Sequence, residues 1–314
     1  MKQRLSVSAS APGKLMLFGE HAVLYGELAI VCAINRRIRV RATRLDHDII
    51  SITSDLGEET YPLTQIPNNT KLPFVCEAVR ELASQIECGI HLDIESDIPH
   101  EYGLGSSAAT TAATVTAITR LFNLSLDPIE IFNIAKQALL RAQNGGSAAD
   151  LAASVFGGTL AYKATPFACT RLQNDPTFCT IYSGSKTPTP DVIAKVGAAT
   201  EKNPEKNKKI FQKMGSICKD ATVVINQENW QSLGKLANKN QTLMQELGLE
   251  NDDISNALAA ISSDSFYGAK ISGAGLGDCV IGFHHPDTTP EITLPMQLKQ
   301  ISLKVDDDGI LYED

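Results

Sequence analysis

The sequence holds no apolar run approaching the ~18 residues that a membrane-spanning helix needs, so no transmembrane segment is expected. Met1 to Ser10 alternates polar and apolar residues and lacks the apolar core of a secretory signal, which predicts a cytoplasmic protein. Paired cysteines are missing as well. The seven cysteines are scattered from Cys32 to Cys279 with no CxxC, which argues against a disulfide framework or a structural zinc site. No basic stripe interrupts a chain of formal net charge −8, and this disfavours nucleic-acid partners. Net charge does not bear on a phosphorylated ligand, because local lysines and backbone amides hold phosphates. Internal repeats and low-complexity segments are also lacking.

What is present is an ordinary globular balance, 43% hydrophobic and 20% charged, in a chain of 314 residues. That length exceeds the ~250–300 residues at which one core stops growing, so two domains are expected. Period-two alternation predicts strands at Leu5–Ala11, Arg37–Thr43 and Ile90–Ser96, and a short apolar run predicts another at Leu28–Ile34. Helices are expected at 74–87 and 106–122. A third opens with Asp127-Pro128-Ile129-Glu130, where Asp127 suits the cap, Pro128 the first turn and Glu130 the reciprocal bond of a capping box. Helices near 191–217, 227–246 and 253–262, with strands Val223–Ile225, Val280–Phe283 and Gln300–Val305, complete an α+β pattern.

Four segments concentrate chemistry. In Pro99-His-Glu-Tyr-Gly-Leu-Gly-Ser-Ser-Ala-Ala109 a strand leads through Gly103-Leu104-Gly105 into a helix beginning with Ser106, Ser107 and Ala108. Glycines admit a phosphate close to the backbone, and the helix start offers unpaired N–H groups. The segment carries neither GK[ST] nor GxGxxG, so a phosphate loop stands beside a plain serine-capped helix as the two readings. Glu101 would repel a phosphate if it pointed inward and is expected to point outward. In Ala11-Pro-Gly-Lys-Leu-Met-Leu-Phe-Gly-Glu-His-Ala-Val-Leu-Tyr-Gly26, Lys14, Glu20 and His21 stand among apolar residues, either on solvated turns or in a site. Asn144 to Gly158 contains one carboxylate, Asp150, suited to orient a nucleophile or to cap a helix. Lys270-Ile-Ser-Gly-Ala-Gly-Leu-Gly-Asp-Cys279 is a glycine-rich turn before an apolar strand, and weak evidence alone.

Taken in order, these segments resemble the three signature motifs and catalytic region of the GHMP kinase superfamily, over nearly the whole chain. The resemblance implies a two-domain fold: a ribosomal protein S5-like N-terminal domain at 1–166, binding ATP and carrying the chemistry, and a ferredoxin-like C-terminal domain at 167–314. It implies transfer of the γ-phosphoryl group of ATP to an alcohol, with Mg²⁺ as cofactor. Asp150 and Lys14 would serve the chemistry. His21, Glu20 and Thr189 would face the acceptor, and Ser107 would hold the metal. Gly103, Leu104, Gly105, Ser106, Ser107 and Ala108, with Gly273, Gly275 and Gly277, would surround the nucleotide phosphates. GEHAVLYG has the form usual in the mevalonate kinases of the superfamily, making a small hydroxy acid the expected acceptor.

Three departures keep other readings open. The resemblance places a metal-binding glutamate eleven residues before Asp150, where this chain has Leu139. The catalytic segment reads GGSAAD, and the third motif ends with Asp278, a form closer to phosphomevalonate kinases. Phosphomevalonate kinase and a catalytically silent binding relative are therefore the alternatives. Neither membrane nor nucleic acid is expected as a partner, and a homodimer is compatible with everything in the sequence.

Overall fold

The computed structural model describes residues 5–99, 101–261 and 264–313. Chain order begins with two long strands, β1 (Ser6–Phe18) and β2 (Ala29–Arg44), and a hairpin, β3 (Ile49–Ser54) and β4 (Gly57–Pro62). Helix α1 (Pro73–Glu81), strand β5 (Ile90–Ser96) and helices α2 (Ser106–Leu121), α3 (Pro128–Ala142) and α4 (Ala149–Phe156) follow. Three short strands come next: β6 (Thr159–Lys163), β7 (Ala168–Arg171) and β8 (Phe178–Tyr182). Four helices, α5 (Thr189–Lys202), α6 (Pro204–Asn226), α7 (Trp230–Glu246) and α8 (Asp252–Ala260), precede β9 (Gly268–Ser272), β10 (Cys279–Phe283), β11 (Lys299–Ile301) and β12 (Leu311–Glu313).

Two sheets organise these elements. The larger has the order β12-β1-β2-β5-β3-β4, with β6 on β2 and β7 on β6. The smaller is antiparallel, β11-β8-β10-β9. The last strand, β12, returns to pair with β1 in the larger sheet. Arg37 anchors that return, donating to Asp306 Oδ2 at 2.6 Å and to the Gly309 carbonyl at 2.5 Å.

Helix α2 lies against β1 and β2. Its small residues make this close approach feasible: Ala108, Ala109, Ala112, Ala113 and Ala117 are all buried. Burial at that interface removes apolar surface from water at roughly 25 cal/mol per Å², the dominant stabilising term. The capping box forms as the residues dictate, with Glu130 N donating to Asp127 Oδ1 at 2.9 Å and Asp127 N to Glu130 Oε2 at 2.8 Å.

Several expected elements differ, and the helix expected near 191–217 is two, α5 and α6, parted at Asn203 because Pro204 starts a new helix. Val223–Ile225 is not a strand but the end of α6, in spite of its β-branched residues. Ile217, Cys218, Ala221 and Ile225 repeat on one buried helical face while Val223 is exposed, so the burial period overrides local strand preference. The helix expected over 74–87 ends at Glu81. Of Gln300–Val305, Gln300 and Ile301 lie in β11, and Val305 forms a single bridge to Ile34. The PGKLMLF segment is strand throughout and not a solvated turn, which puts Lys14 inside β1. His100 lies outside the described residues.

Candidate active site

The phosphate-loop candidate is built by two left-handed glycines. Gly103 and Gly105 have φ of 67° and 79°, a region that costs residues with a Cβ. Leu104, buried between them, pins the turn, and its carbonyl accepts Lys14 N–H at 2.9 Å. Gly105 also leaves room for a neighbour, because a Cβ there would fall 2.7 Å from Lys14 Cγ. Helix α2 then starts at Ser106 without a side-chain cap. The N–H groups of its first turn therefore point, with the positive end of the helix dipole, into the cavity lined by Ser106, Ser107 and Ala108. Glu101 is exposed, outside this lining.

That cavity has a volume of about 720 Å³ and gathers residues from both halves of the chain. Lys14, Glu20 and His21 come from β1 and the turn after it. Asp150 comes from the first turn of α4, and Lys186, Thr189, Gly273, Ala274 and Asp278 from the second half. Lys14 Nζ stands 3.3 Å from Asp150 Oδ2, with the lysine side chain 8% exposed and the carboxylate 41% exposed. The cation is thus held within the protein while the carboxylate opens to whatever fills the cavity. Tyr162 steadies the loop before α4 by donating its hydroxyl to the Ser147 carbonyl at 2.5 Å.

His21 has an unusual backbone, φ 54°, and a buried ring. Its Nε2 lies 2.8 Å from the Ala274 carbonyl, which can only accept, so Nε2 carries the proton. In the neutral ring Nδ1 is then an acceptor. Burial pushes the imidazole below its usual range, partly offset by the Ala274 bond and the Glu20 charge.

Glu20 lines the cavity, yet both its oxygens are engaged. Lys270, fully buried, donates to Oε1, and Asn240 donates to Oε2 at 3.1 Å. Burial lowers the Lys270 ammonium pKa and the Glu20 charge opposes that shift. Nothing in the local pattern around Lys270 or Asn240 marks either as Glu20's partner, which lies 250 and 220 positions away.

The third-motif glycines divide. Gly273 lines the cavity, whereas Gly275 packs on Leu249 and Gly277 on the Ser185–Lys186 backbone. Their role in the structure is to let the β9–β10 turn close on its neighbours. Asp278 ends that turn with its carboxyl in the cavity, pushed above the usual carboxylate range by burial, with Lys14 and Lys186 pulling it down and Asp150 raising it. Leu139 lines the same cavity with an apolar side chain, and Arg141 is turned to Glu77 and Glu81 instead.

Family models for the GHMP kinases N terminal domain and the GHMP kinases C terminal match residues 73–158 and 221–296. The chain is 36% identical to a mevalonate kinase of Archaeoglobus fulgidus, over 87% of this chain and 91% of that protein. It belongs to the GHMP kinase family. A second mevalonate kinase, from Thermococcus sibiricus, is 32% identical over 99% of both chains. The solved structure of Methanococcus jannaschii mevalonate kinase superposes with a TM-score of 0.74 at 26% identity, covering 88% of this chain and 90% of that one. As a GHMP kinase the protein is a phosphotransferase with the family's two-domain fold of mixed helices and strands. No helix among the described residues is long and apolar enough to cross a membrane.

Proposed function

We propose that this protein transfers the γ-phosphoryl group of ATP to the primary hydroxyl of mevalonate, giving 5-phosphomevalonate and ADP. The observation that carries the reading is the Lys14–Asp150 pair at 3.3 Å, set beside the Gly103–Ser107 loop in one cavity. The loop amides and α2 terminus receive the phosphate chain. The acceptor hydroxyl lies at Asp150, which orients it and takes its proton as its oxygen bonds to the γ-phosphorus and the bond to the β-phosphate oxygen breaks. Lys14 balances charge on the transferring group. His21 Nδ1 accepts a hydrogen bond from an acceptor hydroxyl, and Thr189 closes the same side.

Hard oxygen donors fit Mg²⁺, which takes few protein ligands and keeps substrate phosphates and water. Among the described residues no three or more His, Cys, Asp or Glu side chains are arranged to hold a metal ion by themselves, so Ser107 and a cavity carboxylate would hold the ion with the phosphates. When bound, it neutralises phosphate charge.

Phosphomevalonate as acceptor is the second reading, favoured by Asp278 in the third motif. The lining supports mevalonate instead. A second phosphate needs further cationic donors, and the lysines and arginines among the described lining residues are Lys14 and Lys186 alone. A coupled ADP-release assay offering mevalonate, phosphomevalonate, homoserine and galactose separately tests the proposal. The expected kcat/KM for mevalonate exceeds that for phosphomevalonate by at least ~10²-fold, about 2.7 kcal/mol in transition-state binding. The reverse ranking would overturn it.

A further inference from the structure

Among the described residues, Asp278 is the one acidic residue that the second half of the chain places in the cavity, and its setting is peculiar. Its φ is +64°, a conformation that aspartate tolerates better than most residues. Its backbone is fixed at both ends: Asp278 N donates to the Ser185 carbonyl at 2.8 Å, and its own carbonyl accepts Ser183 N–H at 2.9 Å. The side chain cannot swing away with the backbone. It is 5% exposed and lies against the phosphate-loop candidate, where a Cβ on Gly103 would fall 2.4 Å from its Cγ. Oδ1 is buried with no hydrogen-bond partner among the described residues. A buried carboxylate oxygen without a donor is suited to a cation, which would satisfy it.

Counting charges points the same way. Besides Glu20, which is matched by Lys270, the described Lys, Arg, Asp and Glu residues lining the cavity are Lys14, Lys186, Asp150 and Asp278, two positive groups and two negative. A nucleotide triphosphate entering this balanced site would meet a carboxylate beside the loop that cradles it. Repulsion of that kind becomes attraction when a divalent cation stands between the carboxylate and the phosphates.

We propose that Asp278 is a protein ligand of the divalent cation that accompanies the nucleotide, acting with Ser107 across the junction of the two halves. The inference rests on the kinase reading above. It assigns to the turn between β9 and β10 a metal-binding role beyond its backbone contribution, and it gives a carboxylate source in a site where Leu139 supplies none.

The test uses the full chain saturated with a non-hydrolysable ATP analogue and follows Mn²⁺ binding by the loss of its free-ion electron paramagnetic resonance signal. Asp278→Asn keeps the shape and the left-handed backbone. Asp278→Gly removes the side chain altogether and also suits that backbone. Each variant is expected to weaken Mn²⁺ binding at least about tenfold, the scale on which metal-site changes act. Affinity for the analogue in EDTA is expected to stay within about twofold of wild type, or to tighten as the repulsion is removed. Unchanged Mn²⁺ affinity in either folded variant overturns the inference and leaves the kinase reading standing, as a protonated Asp278 would produce. Loss of analogue binding in EDTA by both variants also overturns it, making the residue structural. Failure of the wild-type protein to bind the analogue at all overturns the kinase reading first.

Discussion

Lys270 and Glu20, 250 residues apart, form an ion pair with almost no solvent exposure beneath the cavity, and it joins β9 to the turn that carries His21. Such a pair adds little net stability compared with well-packed apolar residues, but breaking it leaves a bare buried charge. The pair fixes the turn that carries His21, on the side of the cavity where the acceptor is proposed to bind.

Lys270→Met is accordingly expected to destabilise the protein by about 3–5 kcal/mol, because Glu20 is left uncompensated. Pairing it with Glu20→Gln is expected to recover much of the loss, since Asn240 can still bond the amide oxygen. Urea denaturation of the two singles and the double mutant measures the coupling. Additive losses would show that the pair is not a unit.

Asp150→Asn keeps the side-chain shape and removes the proton acceptor. A fall in turnover of roughly 10²–10⁴-fold is expected, with ATP affinity and melting temperature close to wild type. Retention of more than a tenth of the activity would remove Asp150 from its role.

Gly105→Ala tests whether the loop sets Lys14. The new Cβ meets Lys14 Cγ at 2.7 Å on a backbone with φ +79°, so the lysine must shift or the loop must open. Backbone strain of this kind costs on the order of 1–3 kcal/mol. Turnover is expected to fall more than nucleotide affinity, because the phosphate amides survive while the Lys14–Asp150 geometry does not. A variant with wild-type kcat would show that Lys14 placement is independent of the loop.

The buried His21 gives a pH dependence of definite sign. Its folded pKa lies below the ordinary value, so on acidification through about 6.5 the unfolded chain takes up the proton first. Stability is therefore present above that pH and lost as pH falls through it. Comparing urea midpoints at pH 7.5 and 5.5, wild type is expected to lose more stability than His21→Gln, which has nothing to titrate there. Equal losses in both proteins would contradict the neutral, buried imidazole.

How much of this was legible beforehand depends on the range of the interaction concerned. Helix α2 and the capping box of α3 are local: alanine spacing, a glycine turn and Asp127-Pro128 with Glu130 act within a few residues, and they appear where the sequence puts them. The glycine loop with its serine-led helix is equally local, because left-handed φ and a free helix terminus are properties of a short segment. The order of the four segments was enough to place the chain in its family.

Tertiary structure decided the rest. Val223–Ile225 became helix because only packing reveals which face of α6 is buried. Glu20 carries a carboxylate that sequence assigns to an acceptor, and long-range folding brings Lys270 and Asn240 to both its oxygens. Gly275 and Gly277 share a motif with Gly273, yet only Gly273 reaches the cavity, since their neighbours Leu249 and Ser185 come from other elements. Asp278 looks in the sequence like one residue of a turn. Its meaning depends on Gly103, which β1 and α2 hold against it from the other half of the chain. Local conformation follows from residues that touch along the chain, whereas charge partners and buried orphans follow from residues that meet only when the two sheets and their helices have packed.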